Sequence, residues 1–242
     1  MAIDVTGPAD DGEFRWTLEV PQPRDRASLG ATLAAKVKEL RAAALATTAI
    51  EPAIEQKVQL WLPEVHDAED DLVGELGFEP YRDLWQLQID LPSRRTDLVV
   101  RGFTPDDADD FLRVNNRAFH WHPEQGGMTH HDLAQRQSEA WYDPDGFLLH
   151  HRDGELAGFC WTKIHTDLEP AMGEIYAIAI DPNFQGIGLG RALTLSGLTH
   201  MADNGITRAM LYVESDNHSA NAIYEVAGFR YHHTNRAYGL TL

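Results

Sequence analysis

From residue 173 to 198 the chain passes from an apolar run into a helical period. Ile175–Ile180 is apolar behind Glu174, which predicts a buried strand. Asp181-Pro182 ends it, because proline cannot donate to a strand ladder. Gln185, Gly186, Ile187, Gly188, Leu189 and Gly190 follow, and Leu193, Leu195 and Leu198 then carry a helix. Further on, Ala209–Val213 predicts a strand, Ser219–Ala227 a helix closed by Gly228, and the remainder two final strands. Upstream, Leu98–Gly102 predicts a strand. Thr104 caps a helix through Phe111, Leu112 and Phe119. After a loop over 120–127, Thr129 and Asp132 form a capping box on a helix reaching Trp141. Phe147–His151 and Leu156–His165 pair around the tight turn Asp153-Gly154. The order predicts one mixed sheet, mostly antiparallel, with helices on its faces: an α/β protein.

The first third repeats part of this pattern. Residues 1–13 are polar and read as loose. Phe14–Val20 predicts a strand, stopped by Pro21 and Pro23. Leu29, Leu33, Val37, Leu40 and Ala44 share one helix face, Val58–Leu62 predicts a strand, and Asp67–Leu76 predicts a helix ending at Gly77. Leu84–Leu91 alternates as a strand, and Pro92–Thr96 reads as a linker. VQLWLPEVHDAEDDLVGELGF (58–78) parallels AMLYVESDNHSANAIYEVAGF (209–229), and GELGFEPYRDLWQLQIDL (74–91) parallels YEVAGFRYHHTNRAYGLTL (224–242). Farther upstream, RDRASLGATLAAKV (24–37) echoes NFQGIGLGRALTLS (183–196). Such self-similarity predicts a duplicated unit. In the first copy the glycine loop keeps only Gly30, Val73 stands where the second has Tyr224, and Phe14 stands where it has Glu174. The expected division is a non-catalytic, partial domain over 1–95 and a catalytic domain over 96–242.

Composition narrows the function classes. The chain has 242 residues, 43% of them hydrophobic, and a formal net charge of −18. That charge argues against nucleic acid and anionic membranes as partners. No basic-then-apolar leader opens the chain and no stretch nears the roughly 20 apolar residues of a membrane span, so a cytoplasmic location is expected. Cys160 is the one cysteine, which excludes an internal disulfide and a thiolate cluster, and it reads as a core residue. None of the 12 histidines has His-Glu-x-x-His spacing, and no metal is expected.

The glycines ahead of Leu193 carry the chemistry. Bare backbone N–H groups and the positive end of a helix dipole make a site for a phosphate or pyrophosphate. No Gly-Lys-Ser/Thr follows, so the turn is not a P-loop. Arg191 stands where a dinucleotide fold needs its third glycine. The pattern Gln-x-x-Gly-x-Gly after a strand and Asp-Pro resembles the acetyl-CoA loop of the GNAT acyltransferase superfamily. The run Asn217-x-x-Ala220-x-x-x-Tyr224-x-x-x-Gly228-Phe229 is similar to its second signature. LRVNNRAFHWHPEQGG (112–127), EAWYDPDGF (139–147), GFCWTKIH (158–165), GEIYAIAIDP (173–182) and LYVESDNHSANAIY (211–224) resemble, more closely still, the C-terminal half of the mycothiol synthases.

That resemblance implies a GNAT fold built as two tandem halves, only the second catalytic. It implies transfer of acetyl from acetyl-CoA to the cysteinyl amine of cysteinyl-glucosaminyl-inositol, a small-molecule acceptor. By matching position, acetyl-CoA would meet Ile178, Ala179 and Ile180 on the strand, and Gln185, Gly186, Ile187, Gly188, Leu189, Gly190 and Arg191 at the loop. It would also meet Asn217, His218, Ser219, Ala220, Asn221 and Ala222 at the second helix. Glu124, Lys163, Glu174 and Tyr212 would bind the acceptor. Glu174 would serve as base and Tyr224 as acid in a direct attack, and a monomer is expected. The family's first half is longer and supplies a further substrate carboxylate near its start, without a counterpart in this sequence. A GNAT enzyme for another small amine or a peptide N-terminus therefore stands as an alternative, as does a non-catalytic acyl-CoA-binding module.

Overall fold

The computed structural model describes residues 3–7, 16–20, 25–48, 56–120 and 126–242. Chain order gives β1 (Asp4–Thr6), β2 (Trp16–Glu19), α1 (Arg26–Thr48), β3 (Lys57–Leu62), α2 (Asp67–Glu75) and β4 (Glu79–Asp90). There follow β5 (Arg101–Gly102), α3 (Ala108–Ala118), α4 (His130–Gln137), β6 (Phe147–Arg152), β7 (Glu155–His165) and β8 (Met172–Ile180). The chain closes with α5 (Leu189–Asp203), β9 (Arg208–Glu214), α6 (His218–Ala227) and β10 (Arg230–Thr241). These elements form two compact units, residues 1–85 with 214–216 and 233–242, and residues 86–213 with 217–232. Among the described residues no helix is long and apolar enough to cross a membrane.

In the first unit β2 pairs β3 in parallel, Trp16 opposite Val58, while the end of β10 pairs the other edge of β3 antiparallel, Tyr238 opposite Leu60. The face of α1 expected from its spacing is the buried one: Leu29, Leu33, Val37, Leu40 and Ala44 are all in the core, beside Leu18, Val58, Leu60 and Val73. Burying each Leu or Val stabilises by about 1.5–3 kcal/mol. Arg236 donates to both carboxylate oxygens of Asp83 and also binds Asp70, which accepts from the Tyr238 hydroxyl. Two expectations fail in this unit. Residues 4–6 are not loose, since Asp4–Thr6 pairs antiparallel with β2. The end of the chain is one strand of 12 residues rather than two: Gly239, which could have turned it, is held opposite Gln59 in the ladder with β3.

The second unit has strand order β9-β8-β7-β6-β5, parallel between β8 and β9 and antiparallel elsewhere. The hairpin of β6 and β7 turns at Asp153 and Gly154, both with positive φ, as a tight turn demands. One face is aromatic. Phe147 stacks on Trp161 with centroids 4.1 Å apart, and Phe111 stands edge-on to Phe147 at 4.9 Å. Leu112, Val114, Leu133 and Leu149 fill around them, which seats α3 and α4 on this face. The other face is covered by α5: a Cβ on Gly197 would lie 2.6 Å from the Cys160 sulfur, so that helix packs at glycine distance. Cys160 is fully buried, and burial pushes its thiol pKa up to about 12.

Caps set the helix starts. The Thr129 amide and hydroxyl donate to the Asp132 carboxylate at 2.8 and 2.7 Å, the expected box, although α4 stops at Gln137 and not at Trp141. Thr104 donates likewise to Asp107, with Pro105 in the first turn. The expected strand over 98–102 is reduced to Arg101–Gly102. Arg101 makes a bidentate pair with Asp107 at 2.7 and 2.6 Å, which holds that carboxyl far below the usual carboxylate range.

Candidate active site

The candidate site is built where β8 parts from β9. The ladder between β7 and β8 is regular up to a bulge, where Trp161 faces Ala177 but Thr162 faces Ile175, leaving Tyr176 as the extra residue. On the other side of β8, the parallel ladder with β9 comprises Gly173, Glu174 and Ile175 opposite Ala209, Met210 and Leu211. Both strands continue, β8 to Ile180 and β9 to Glu214. Beyond Ile175 they therefore part, and the stretch Tyr176–Ile178 is half-buried instead of sealed. A strand that parts from its neighbour turns backbone N–H and C=O groups toward the gap, where a ligand can pair with them.

Just past the gap the chain is pinned. Asp181, 1% exposed, accepts from Arg113 and Arg117 of α3 at 3.3 and 2.9 Å. Its other oxygen accepts from the Asn183 amide at 2.9 Å. The sequence marks Asp181 only as a strand stop. Its second role was recoverable from Arg113 and Arg117, which lie one helical turn apart on the same face. From this anchor the chain enters the glycine turn. Gly186 and Gly188 have φ of +79° and +85°, and a Cβ on either would meet no atom within 4 Å. Gly188 is the N-cap of α5, whose first turn carries no acidic residue. The first amides of a helix have no partner inside it, and the dipole makes this end positive. A left-handed backbone, open space over it and free helix amides fit a diphosphate. Gly190 brings α5 against α6, since its Cβ would lie 3.2 Å from Ile223. At the head of α6 the Asn217 side chain accepts from the Ala220 amide at 3.1 Å and so caps the helix.

The candidate side chains lie as follows. Tyr224 of α6 is 8% exposed and stands edge-on to Phe229 at 5.8 Å. Burial, reinforced by the neighbouring Cys160, raises its hydroxyl pKa well above the ordinary value, so the hydroxyl keeps its proton. Glu174, 9% exposed, is the middle residue of the short β8–β9 ladder. Lys163 is its cross-strand partner on β7, but the Lys163 ammonium lies over the Trp141 ring, 5.0 Å from the centroid. Glu174 instead contacts His165, Nε2 to Oε2 at 2.7 Å. Sequence reasoning missed His165, although it lies two residues beyond Lys163 and so on the same side of the strand. Tyr212 follows Leu211, where the β9 ladder ends, and its hydroxyl accepts from Gln86 at 2.8 Å. Glu124 lies outside the described residues, as does Phe14.

The acetyltransferase (GNAT) family model matches residues 115–229. A mycothiol acetyltransferase of Streptomyces coelicolor is 45% identical over 192 residues, 76% of this chain and 61% of that protein. One of Mycobacteroides abscessus is 47% identical over 189 residues, 75% of this chain and 64% of that protein. The chain thus spans less than two thirds of the length of these relatives. Among solved structures, a GCN5-related N-acetyltransferase from Sphaerobacter thermophilus superposes with a TM-score of 0.70 at 21% identity, over 93% of this chain and 72% of that one. That likeness gives the fold: a mixed sheet flanked by helices. Residues 115–229, which hold the parted strands, the glycine turn, Glu174 and Tyr224, form a domain of the acetyltransferase (GNAT) family.

Proposed function

We propose that this chain transfers acetyl from acetyl-CoA to the cysteinyl amine of cysteinyl-glucosaminyl-inositol, giving mycothiol. One observation carries the acyl-transfer reading above the others: β8 and β9 part after Ile175 while Glu174 stands at the fork and a left-handed glycine turn opens α5 beyond it. The amides of Gly186–Arg191 hold the CoA diphosphate, and the head of α6, from Asn217 to Ala222, flanks it. The pantetheine arm enters the gap along Ile178–Ile180. An amide near Ala179 donates to the thioester oxygen as negative charge develops there.

The acceptor amine attacks the thioester carbon directly. Its N–H proton passes to the Glu174 carboxylate, the carbon–sulfur bond breaks, and Tyr224 gives its proton to the departing thiolate. A cysteinyl α-amine has an ordinary pKa of about 8, so this base has little work to do near neutrality. A buried hydroxyl that holds its proton suits an acid that acts only when a thiolate forms beside it. Lys163, with Tyr212 and Glu124, binds the polar remainder of the acceptor.

The first unit is proposed as a non-catalytic duplicate. Its elements β2-α1-β3-α2-β4 follow the order of β8-α5-β9-α6-β10, with a parallel pair in each set. A Cβ on Gly30 would lie 2.9 Å from Leu72, the residue that matches Ile223 in the sequence repeat. Each copy therefore packs a glycine near the start of one helix against the matching position of the next.

The test is turnover with acetyl-CoA and a panel of amines, read as acetylated product by chromatography with mass detection. The panel holds cysteinyl-glucosaminyl-inositol, cysteine, glucosamine and short peptides. Preference for the first supports the reading. Acetylation confined to peptides assigns another acceptor, and CoA binding without turnover of any amine leaves an acyl-CoA-binding module.

A further inference from the structure

We infer that His165 is a positioning residue for acetyl transfer: it holds one oxygen of Glu174 and leaves the other for the acceptor amine. The inference rests on the N-acetyltransferase reading above. Glu174 faces Lys163 directly across the β7–β8 ladder, so an ion pair between them is the default expectation. It does not form, because the Lys163 ammonium is drawn over Trp141, 5.0 Å from the ring centroid. The diagonal neighbour His165 takes its place, with Nε2 2.7 Å from Oε2. Both side chains are largely enclosed, 18% and 11% exposed, so the contact is shielded from competing water.

The exchange of partners matters chemically. A lysine bound to the carboxylate would bring a full positive charge and oppose proton uptake. A neutral imidazole with its proton on Nε2 donates a hydrogen bond without that charge. The bond fixes the carboxylate in one rotamer, so the ordering entropy of a free glutamate side chain is not lost again when substrate binds. Oε2 is then committed to the imidazole, and Oε1 is the oxygen available to take the amine proton. Because Glu174 sits at the fork of β8 and β9, fixing it also fixes the line from the base to the gap where the thioester would lie. The bulge at Tyr176 is one step beyond, so the geometry ahead of it is set by the regular pairs Lys163–Glu174 and His165–Met172.

The test compares H165L, which removes the donor, with H165Q, whose amide nitrogen stands near the Nε2 position and donates without titrating. Acetyl-CoA and the best acceptor from the amine panel are the probes, and CoA affinity is measured by calorimetry. We expect H165L to lose tenfold or more in kcat, with the KM for acetyl-CoA and CoA affinity within twofold of the parent, and H165Q to regain most of that loss. Unchanged kcat in H165L overturns the inference. So do equal losses in both variants, which would require a titrating group, and a loss of CoA affinity alongside kcat, which would mark a structural role. If the parent protein turns over no amine, the acetyltransferase reading itself fails, a result distinct from any of these.

Discussion

Replacing Gly188 by glutamate tests whether the glycine turn binds or merely turns. The same protein supplies a matched control in Gly205, just past the other end of α5. The two have φ of +85° and +81°, and a Cβ on either meets nothing within 4 Å. Forcing a residue with a Cβ into the left-handed region costs about 1–2 kcal/mol at either place. For a protein of this size that lowers Tm by about 2–8 °C. The effects diverge only if an anion sits over Gly188. A carboxylate about 4 Å from a phosphate at an effective dielectric of about 20 is repelled by about 4 kcal/mol. Water and salt at this half-open site reduce that to about 2 kcal/mol, which is roughly a thirtyfold loss in affinity. Calorimetric titration with CoA, together with thermal melts, gives both numbers for each variant. We expect similar melting temperatures, a Kd raised roughly thirtyfold in G188E, and a Kd unchanged in G205E. Equal CoA affinity in the two variants would refute the assignment of the diphosphate to this turn.

Other predictions follow from the same geometry. Y224F should lower kcat about 10²-fold or more through loss of the acid while CoA affinity stays unchanged, as stopped assays and calorimetry would show. A variant that retains full kcat would assign the thiolate's proton to another donor. D181A removes a buried carboxylate shared by Arg113, Arg117 and the Asn183 amide; it should destabilise by about 2–3 kcal/mol in denaturant titrations and raise the KM for acetyl-CoA more than it lowers kcat. The pH dependence of stability has a defined sign at Asp107. Its folded pKa is depressed by Arg101 and by Thr104, so the stability it contributes is complete above the unfolded carboxylate value near 4 and fades as pH falls below it. Chemical denaturation of D107N should accordingly lose the acid-side part of the parent's pH slope.

How much of this was legible beforehand differs from place to place. The glycine turn was readable because positive φ has few tenants, and the helix after it because leucines recur at helical spacing. The capping box at Thr129 and the Asp153-Gly154 turn were readable for the same reason: both are local rules. The partner of Glu174 was not. Choosing His165 over Lys163 requires knowing the β7–β8 register and that Trp141, 22 residues before Lys163 in the chain, holds the ammonium. The parting of β8 from β9 was likewise hidden, since the apolar run of β8 continues unchanged through the point where pairing stops. The unbroken final strand was hidden as well, since its partner β3 lies far upstream in the chain. In the structure the end of that strand is paired, residue by residue, with β3.

Cys160 gives this protein a built-in clock. It is the sole cysteine, fully enclosed beneath α5, with its thiol held protonated. Thiol-reactive dyes will ignore the native fold and label it only when the helix lifts from the sheet. Labelling kinetics thus report opening of the second unit alone, without an engineered probe, and CoA should slow them.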